Sequence, residues 1–325
     1  MKIIRETFGR VGLVSWVHSM VVSLPKPQKV QSSRIRWLNH HLLKDARGKC
    51  ALYWVEFAPR VQYNHALEAA IGLANDAKVP LVALYVVNPE TRDFTERHLV
   101  FLLQGLMQFA EECAKRNIQL WTMHGLPGEL VPRVAERIEA MSVVTEKPGL
   151  REGRKEREVV ARALRVPLLE VETNVVVPLE LASTKQEYAA RTIRSRITGD
   201  DYHQCLVPVV TIEPKFHSLS LKQFLSPPEE FRSHHLDLKQ NDIDQALGKF
   251  TDKVNRRVPP TDSFLGGERR GREILAEFAN KILLGYSTLR NEPAKAGQSN
   301  LSPYLRFGFL SPIECALAVR HSPLA

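Results

Sequence analysis

Val79-Pro-Leu-Val-Ala-Leu-Tyr-Val-Val87 carries no charged side chain. A strand with one wet face alternates apolar and polar residues, whereas an unbroken apolar run predicts a strand buried on both faces. Strands of that kind belong to parallel sheets covered by helices on either side. Outward from this run the same alternation repeats. Ala51-Leu-Tyr-Trp-Val55 precedes it as a strand, and the stretch from His65 to Ala77 between them has helical apolar spacing. After it comes a long amphipathic helix with Leu99, Leu102, Leu103, Leu106, Met107 and Phe109 on one side. Then follow strand Ile118–Met123, helix Pro127–Ile138, strand Met141–Thr145, a charged helix Arg151–Leu164 and strand Val166–Glu172. Five apolar strands alternating with helices predict an α/β fold, a Rossmann-like doubly wound parallel five-stranded sheet. A ligand in such a sheet sits beyond the carboxyl ends of its strands. No G-x-G-x-x-G follows the first strand, which disfavours an ordinary dinucleotide site there.

The chain of 325 residues is long enough for two domains. Four parts are expected: an N-terminal extension at 1–33, an α/β domain at 34–198, a connection at 199–262 and the start of a helical domain at 263–325. In the first part, Lys2, Arg5 and Arg10 precede the apolar run Val11–Leu24. That run contains His18, no small-x-small cleavage site follows it, and it is too short to span a bilayer. It reads as a loose extension, with a cleaved targeting segment as the alternative. After residue 199, prolines, histidines and charges replace periodicity, and a short helix is expected within Leu236–Phe250. A helix resumes over 266–284, with Ile274, Leu275, Phe278, Ile282 and Leu283 on one face.

The formal charge of +9 and a pI near 9.4 favour a polyanionic partner such as nucleic acid. Cys50, Cys113, Cys205 and Cys315 form no C-x-x-C pair, which argues against a zinc site or a disulfide frame and suits a reducing, cytoplasmic compartment. The pairs His40-His41 and His234-His235 lack further metal-ligand partners, so surface or cap roles are expected and no metal is. In Lys147–Arg157, acids interleave with bases, which predicts a solvated helix face. Arg191, Arg194 and Arg196 are less diluted by acids and suit either a basic groove or open surface.

Near the C-terminus stand Tyr286-Ser-Thr-Leu-Arg-Asn-Glu-Pro293 and Ser299-Asn-Leu-Ser-Pro-Tyr-Leu-Arg-Phe-Gly308. Serine before proline predicts a helix start, so Ser302 and Ser311 are expected to cap two short helices, with Gly308 ending the first. Unpaired amides and neutral oxygens gathered at a helix start suit a phosphate.

These two stretches resemble the flavin-binding motif of DNA photolyases, specifically the class II cyclobutane pyrimidine dimer photolyases of the photolyase and cryptochrome superfamily. Gly266-Gly-Glu268, Tyr53-Trp54, Asn174–Pro178 and Gln186–Ala190 are similar to further landmarks of that class. The resemblance implies light-driven repair of cyclobutane pyrimidine dimers in DNA by electron transfer from reduced FAD. It implies a monomer whose partner is damaged DNA, with no membrane involvement. Tyr286, Gln298, Ser299, Asn300, Leu301 and Ser302 are similar to the family's FAD contacts, and Arg290 to an arginine on the DNA-facing side. An antenna chromophore, a deazaflavin or a folate, is implied for the α/β domain. The family's helical domain extends well past this motif, so the chain reads as truncated within it. No catalytic residue is assigned, and a C-terminal helix without its packing partners is expected to expose Ile313, Ala316 and Leu317. The alternatives are a cryptochrome-like flavin photosensor and an inactive remnant.

Overall fold

The computed structural model describes residues 30–88, 94–149, 151–185, 187–238, 243–250, 254–292 and 294–324. The N-terminal apolar run and Trp16 lie outside them, as do Gln186 and part of the expected helix within Leu236–Phe250, of which Ile243–Gly248 is helical.

Six strands form one sheet: β1 Ile35–Trp37, β2 Cys50–Val55, β3 Leu81–Val87, β4 Gln119–His124, β5 Ala140–Glu146 and β6 Leu168–Val171. Their order is β1-β6-β5-β2-β3-β4. The five strands read from sequence are all parallel to one another, and the order reverses between β2 and β5, as doubly wound sheets do. The sixth, β1, corrects the expected count. It runs antiparallel along β6, pairing Ile35 with Val171 and Trp37 with Leu169.

Alternate residues of β2 and β3 feed two different cores, which is why both strands are apolar throughout. Ala51, Tyr53, Val55, Ala83 and Tyr85 face the side covered by helices α1 (His65–Ala77) and α2 (Glu96–Lys115). Cys50, Leu52, Trp54, Val82 and Leu84 face α3 (Pro127–Arg137) and α4 (Arg151–Ala163). Trp54 and Trp121 are fully buried on this second side, and the Trp121 indole donates to the Phe224 carbonyl at 3.1 Å. Helix α1 starts where the Asn64 carboxamide oxygen accepts from Ala66 and Leu67 amides (3.1 Å each), and ends at Lys78, whose φ of 58° is left-handed.

The segment after residue 205 is no loose tether. Ser218 takes the Gln119 amide on its hydroxyl (2.8 Å), Leu236 donates to the Thr122 carbonyl (2.8 Å), and Met123 bridges to His235. It therefore covers the free edge of β4, an edge that would otherwise template association.

Beyond it, the expected helix over 266–284 is three pieces: α-helix Glu268–Glu277, a π-helical turn Phe278–Ile282, and α-helix Leu283–Leu289. Two short helices follow, Ser302–Arg306 and Pro312–Arg320. Ile313 and Leu317 are buried, against expectation, because Leu206, Tyr202, Tyr63 and Val176 pack on them. Phe309 fills the notch at Gly105 on α2, where an added Cβ would lie 1.9 Å from the ring.

Candidate functional site

At the switch point between β2 and β5 the sheet offers the usual ligand crevice, and here it is filled from within. The Tyr53 hydroxyl donates to Glu146 Oε1 (2.5 Å), and Glu146 Oε2 accepts from the amides of Glu56 (2.7 Å) and Phe57 (3.2 Å). Arg157 donates to Glu56 and, at 2.7 Å, to Glu170. The expected solvated face of 147–157 is thus corrected: Arg157 is buried, because its carboxylate partners arrive from other strands. Burial pushes the Glu56 carboxyl up to about 8 and also raises that of Glu146.

The loop after β2 carries a second buried cation. Arg60 donates to the carbonyl of Gly308 (2.7 Å), Asn174 Oδ1 (2.8 Å), the Thr173 carbonyl (3.1 Å) and the Tyr63 carbonyl (3.3 Å). The Asn174 amide returns to the Phe57 carbonyl at 2.6 Å. From the other side, Glu268 takes the Val61 amide (2.8 Å) and the Gln62 amide (2.9 Å) on its two oxygens. Arg60 and Glu268 together bolt the helical segment to the α/β layer. Nothing local in the sequence marks Arg60; Gly266-Gly267 does mark Glu268, because a Cβ on Gly266 would sit 1.8 Å from the Phe101 carbonyl.

Burial raises the Glu268 carboxyl to about 7, with the nearby Glu314 adding to the rise. A carboxyl raised above its unfolded range holds its proton more tightly when folded. Its contribution to stability is complete below the unfolded value, is lost as pH climbs toward 7, and is level above that. Glu268→Gln is expected to remove this share, on the order of 3 kcal/mol at full extent, and to flatten the melting temperature between pH 5 and 7. An unchanged slope across that window would assign the dependence to other carboxyls.

The motif residues group as follows. Tyr286 is half-buried, packs edge-on to Phe278 at 5.0 Å and lies beneath the Arg290 guanidinium at 6.0 Å. The Gln298 amide donates to the Arg290 carbonyl, and Gly297 rests against Leu289 so closely that a Cβ would stand 2.4 Å from its side chain. Tyr286, Arg290 and Gln298 are therefore brought together across the intervening loop. Asn300 has a left-handed backbone, φ 55°, and turns the chain between exposed Asn300 and Ser302, while Leu301 is buried in the main core.

The capping prediction divides. Ser311 accepts the Ile313 amide at 3.2 Å, as expected. Ser302 does not cap: the helix starts on it, Leu301 occupies the cap position with helical backbone, and no side chain takes up the first amides. The backbone N–H groups of Ser299, Asn300, Leu301 and Ser302 accordingly donate to no group among the described residues. Gly308, φ 73°, ends this helix.

Two cavities adjoin the C-terminal helices. One of about 710 Å³ opens between Gln62, Gln108, Glu268, Arg272 and Glu314 and borders none of the six motif contacts. The other, about 330 Å³, borders Ser302. Among the described residues no group of three or more potential ligands could hold a metal ion, and no helix is long and apolar enough to cross a membrane. His41 and His234 contact the carbonyls of Leu164 (3.2 Å) and His124 (3.0 Å).

Residues 51–210 match the family model described as DNA photolyase. The chain is 33% identical over 292 residues to the deoxyribodipyrimidine photo-lyase of Methanothermobacter thermautotrophicus, covering 89% of this chain and 60% of that one. It is 34% identical over 301 residues to the enzyme of the same name from Arabidopsis thaliana, covering 90% and 58%. In fold it is similar to a cryptochrome from Synechocystis (TM-score 0.65, 18% identity, covering 86% and 57%). A class III photolyase from Agrobacterium tumefaciens is similar to a comparable degree (TM-score 0.63, 20% identity, covering 85% and 54%). The chain spans about three fifths of the length of the two photo-lyases it matches.

Proposed function

Since the chain belongs to the DNA photolyase family, we propose that it serves the light-driven repair of cyclobutane pyrimidine dimers in DNA, as a class II enzyme, with FAD as its cofactor. The observation that carries this reading is the turn at 299–302. Four consecutive backbone N–H groups without partners among the described residues stand there beside the hydroxyls of Ser299 and Ser302 and the amide of Asn300. Paired phosphates need that donor set, and it adds no fixed charge to a site that must also accept a neutral ring system.

In this reading Gln298, Ser299, Asn300, Leu301 and Ser302 hold the diphosphate, and Tyr286 contacts the same cofactor from the preceding helix. FAD held by these residues would supply reversible one-electron chemistry to the dimer, with no net redox change. The protein's share is placement. Arg290 faces the DNA, and the excess of 45 basic over 36 acidic residues draws the duplex in. A damaged pair unstacks cheaply, which favours its extrusion toward the cofactor. The residues at the β2–β5 switch point do not fit a deazaflavin or folate, because Tyr53, Glu56, Glu146 and Arg157 occupy that space.

Purified chain incubated with reduced FAD should reverse thymine dimers in an oligonucleotide under blue or near-ultraviolet light and not in darkness. Protein that is yellow after gel filtration and reoxidation in air but gives no reversal would instead favour a cryptochrome-like photosensor, and protein that stays colourless after reoxidation would sink the flavin assignment. Ser302→Asp, which sets a carboxylate against the diphosphate, is expected to weaken flavin retention by about tenfold or more, read as flavin released on gel filtration.

A further inference from the structure

The 330 Å³ cavity lies where α2, residues 260–264 and the helix Ser302–Arg306 meet. Three phenylalanines stand in its wall beside Val100, Pro260 and Pro303: Phe101 is buried and meets Phe307 edge-on at 5.1 Å, and Phe264 is the third. Its charges are of one sign. Arg97 and Arg306 border it, and no carboxylate among the described residues does. Arg97 spends its Nε on the Pro259 carbonyl at 2.9 Å. Arg306 donates to no group among the described residues.

Arg306 is thus an unpaired guanidinium at the rim of an apolar, ring-lined space. A cation has no counter-charge here, and a neutral aromatic ligand leaves Arg306 unused. A ligand with a flat apolar body and one negative group satisfies both halves of the site, since a guanidinium binds carboxylate or phosphate oxygens in its own plane. The volume lies at the small end of ligand cavities, enough for one or two rings. We propose that this cavity binds a planar aromatic anion, with its rings against Phe101, Phe264 and Phe307 and its negative group on Arg306. Of the six residues assigned to FAD, Ser302 alone borders the cavity, and the site is argued from Phe101, Phe264, Phe307 and Arg306, none of which the flavin reading uses.

The probe is 2-naphthoate, titrated calorimetrically into the full chain in darkness and without DNA. Sub-millimolar binding is expected, with 2-naphthamide, its uncharged counterpart, about tenfold weaker. Arg306→Gln should cost naphthoate about the same factor and abolish the preference for the anion, because one charge-assisted contact is lost. Phe264→Ala should weaken both probes. Failure of naphthoate to bind, equal binding of the two probes, or binding indifferent to Arg306→Gln would overturn the proposal. Stoichiometric release of flavin by naphthoate would also overturn it, by showing that the cavity is the flavin's own. Loss of light-driven repair with anion binding intact would leave this site standing and strike only the photolyase reading.

Discussion

Alanine at Gly308 is expected to lift the C-terminal helices off the sheet. At this position φ is +73°, and an added Cβ would fall 1.8 Å from the Phe57 carbonyl oxygen and 2.6 Å from its carbon. Left-handed backbone alone costs a non-glycine residue about 1–2 kcal/mol. The clash is with main chain, which no rotamer change relieves, so the chain after Tyr304 must move. That movement takes the Gly308 carbonyl away from Arg60. The total should reach about 4 kcal/mol or more. It would appear as early protease cleavage after residue 306 and as loss of the high-temperature part of the melting curve. A Gly308→Ala protein that melts with the parent would show that the two layers do not meet through this turn.

Arg60→Met should be nearly as damaging. The guanidinium is fully buried and donates to Gly308, Asn174, Thr173 and Tyr63. Its removal strands two buried carbonyls, of Gly308 and Thr173, and two part-buried acceptors on Asn174 and Tyr63, and leaves Glu268 without its nearby positive charge. Breaking a buried charge cluster from one side costs about 3–5 kcal/mol. Arg60→Lys should recover only part, since a single ammonium cannot reach four acceptors in different directions. The double variant Arg60→Met with Glu268→Gln should cost less than the sum of the two, because the second change removes the negative charge the first leaves uncompensated. Urea midpoints for the four proteins close this cycle, and strict additivity would mean that the two residues do not act as one unit.

What could be read beforehand follows the range of each interaction. The five parallel strands declared themselves because both faces of each are covered, so apolarity is continuous and local. The first strand did not: Ile35-Arg36-Trp37 is three residues long, places an exposed arginine at its centre, and exists only because residues 169–171 pair with it. Arg157 looked solvated for a related reason. Its sequence neighbours are acidic, but the partners that bury it, Glu56 and Glu170, lie on other strands. The motif residues could be named from resemblance, yet which of them touch could not, because the Gln298 contact to Arg290 crosses a loop. Serine before proline gave two identical signals with different outcomes. Ser311 has extended backbone and caps, whereas Asn300 turns left-handed and winds Leu301 into the helix one residue early, leaving Ser302 inside it.

The joint between the layers has a further property. Arg60 reads three carbonyls, one carboxamide and the Thr173 hydroxyl, and Glu268 reads two amides. Five of those seven counterparts are main chain, so the fastening recognises chiefly the path of the polypeptide, with the side chains of Asn174 and Thr173 as its two exceptions. The polar half of the seam therefore follows the course of the backbone, while its apolar half, Val61 in the core and Tyr63 against Ile313 and Leu317, depends on the side chains themselves.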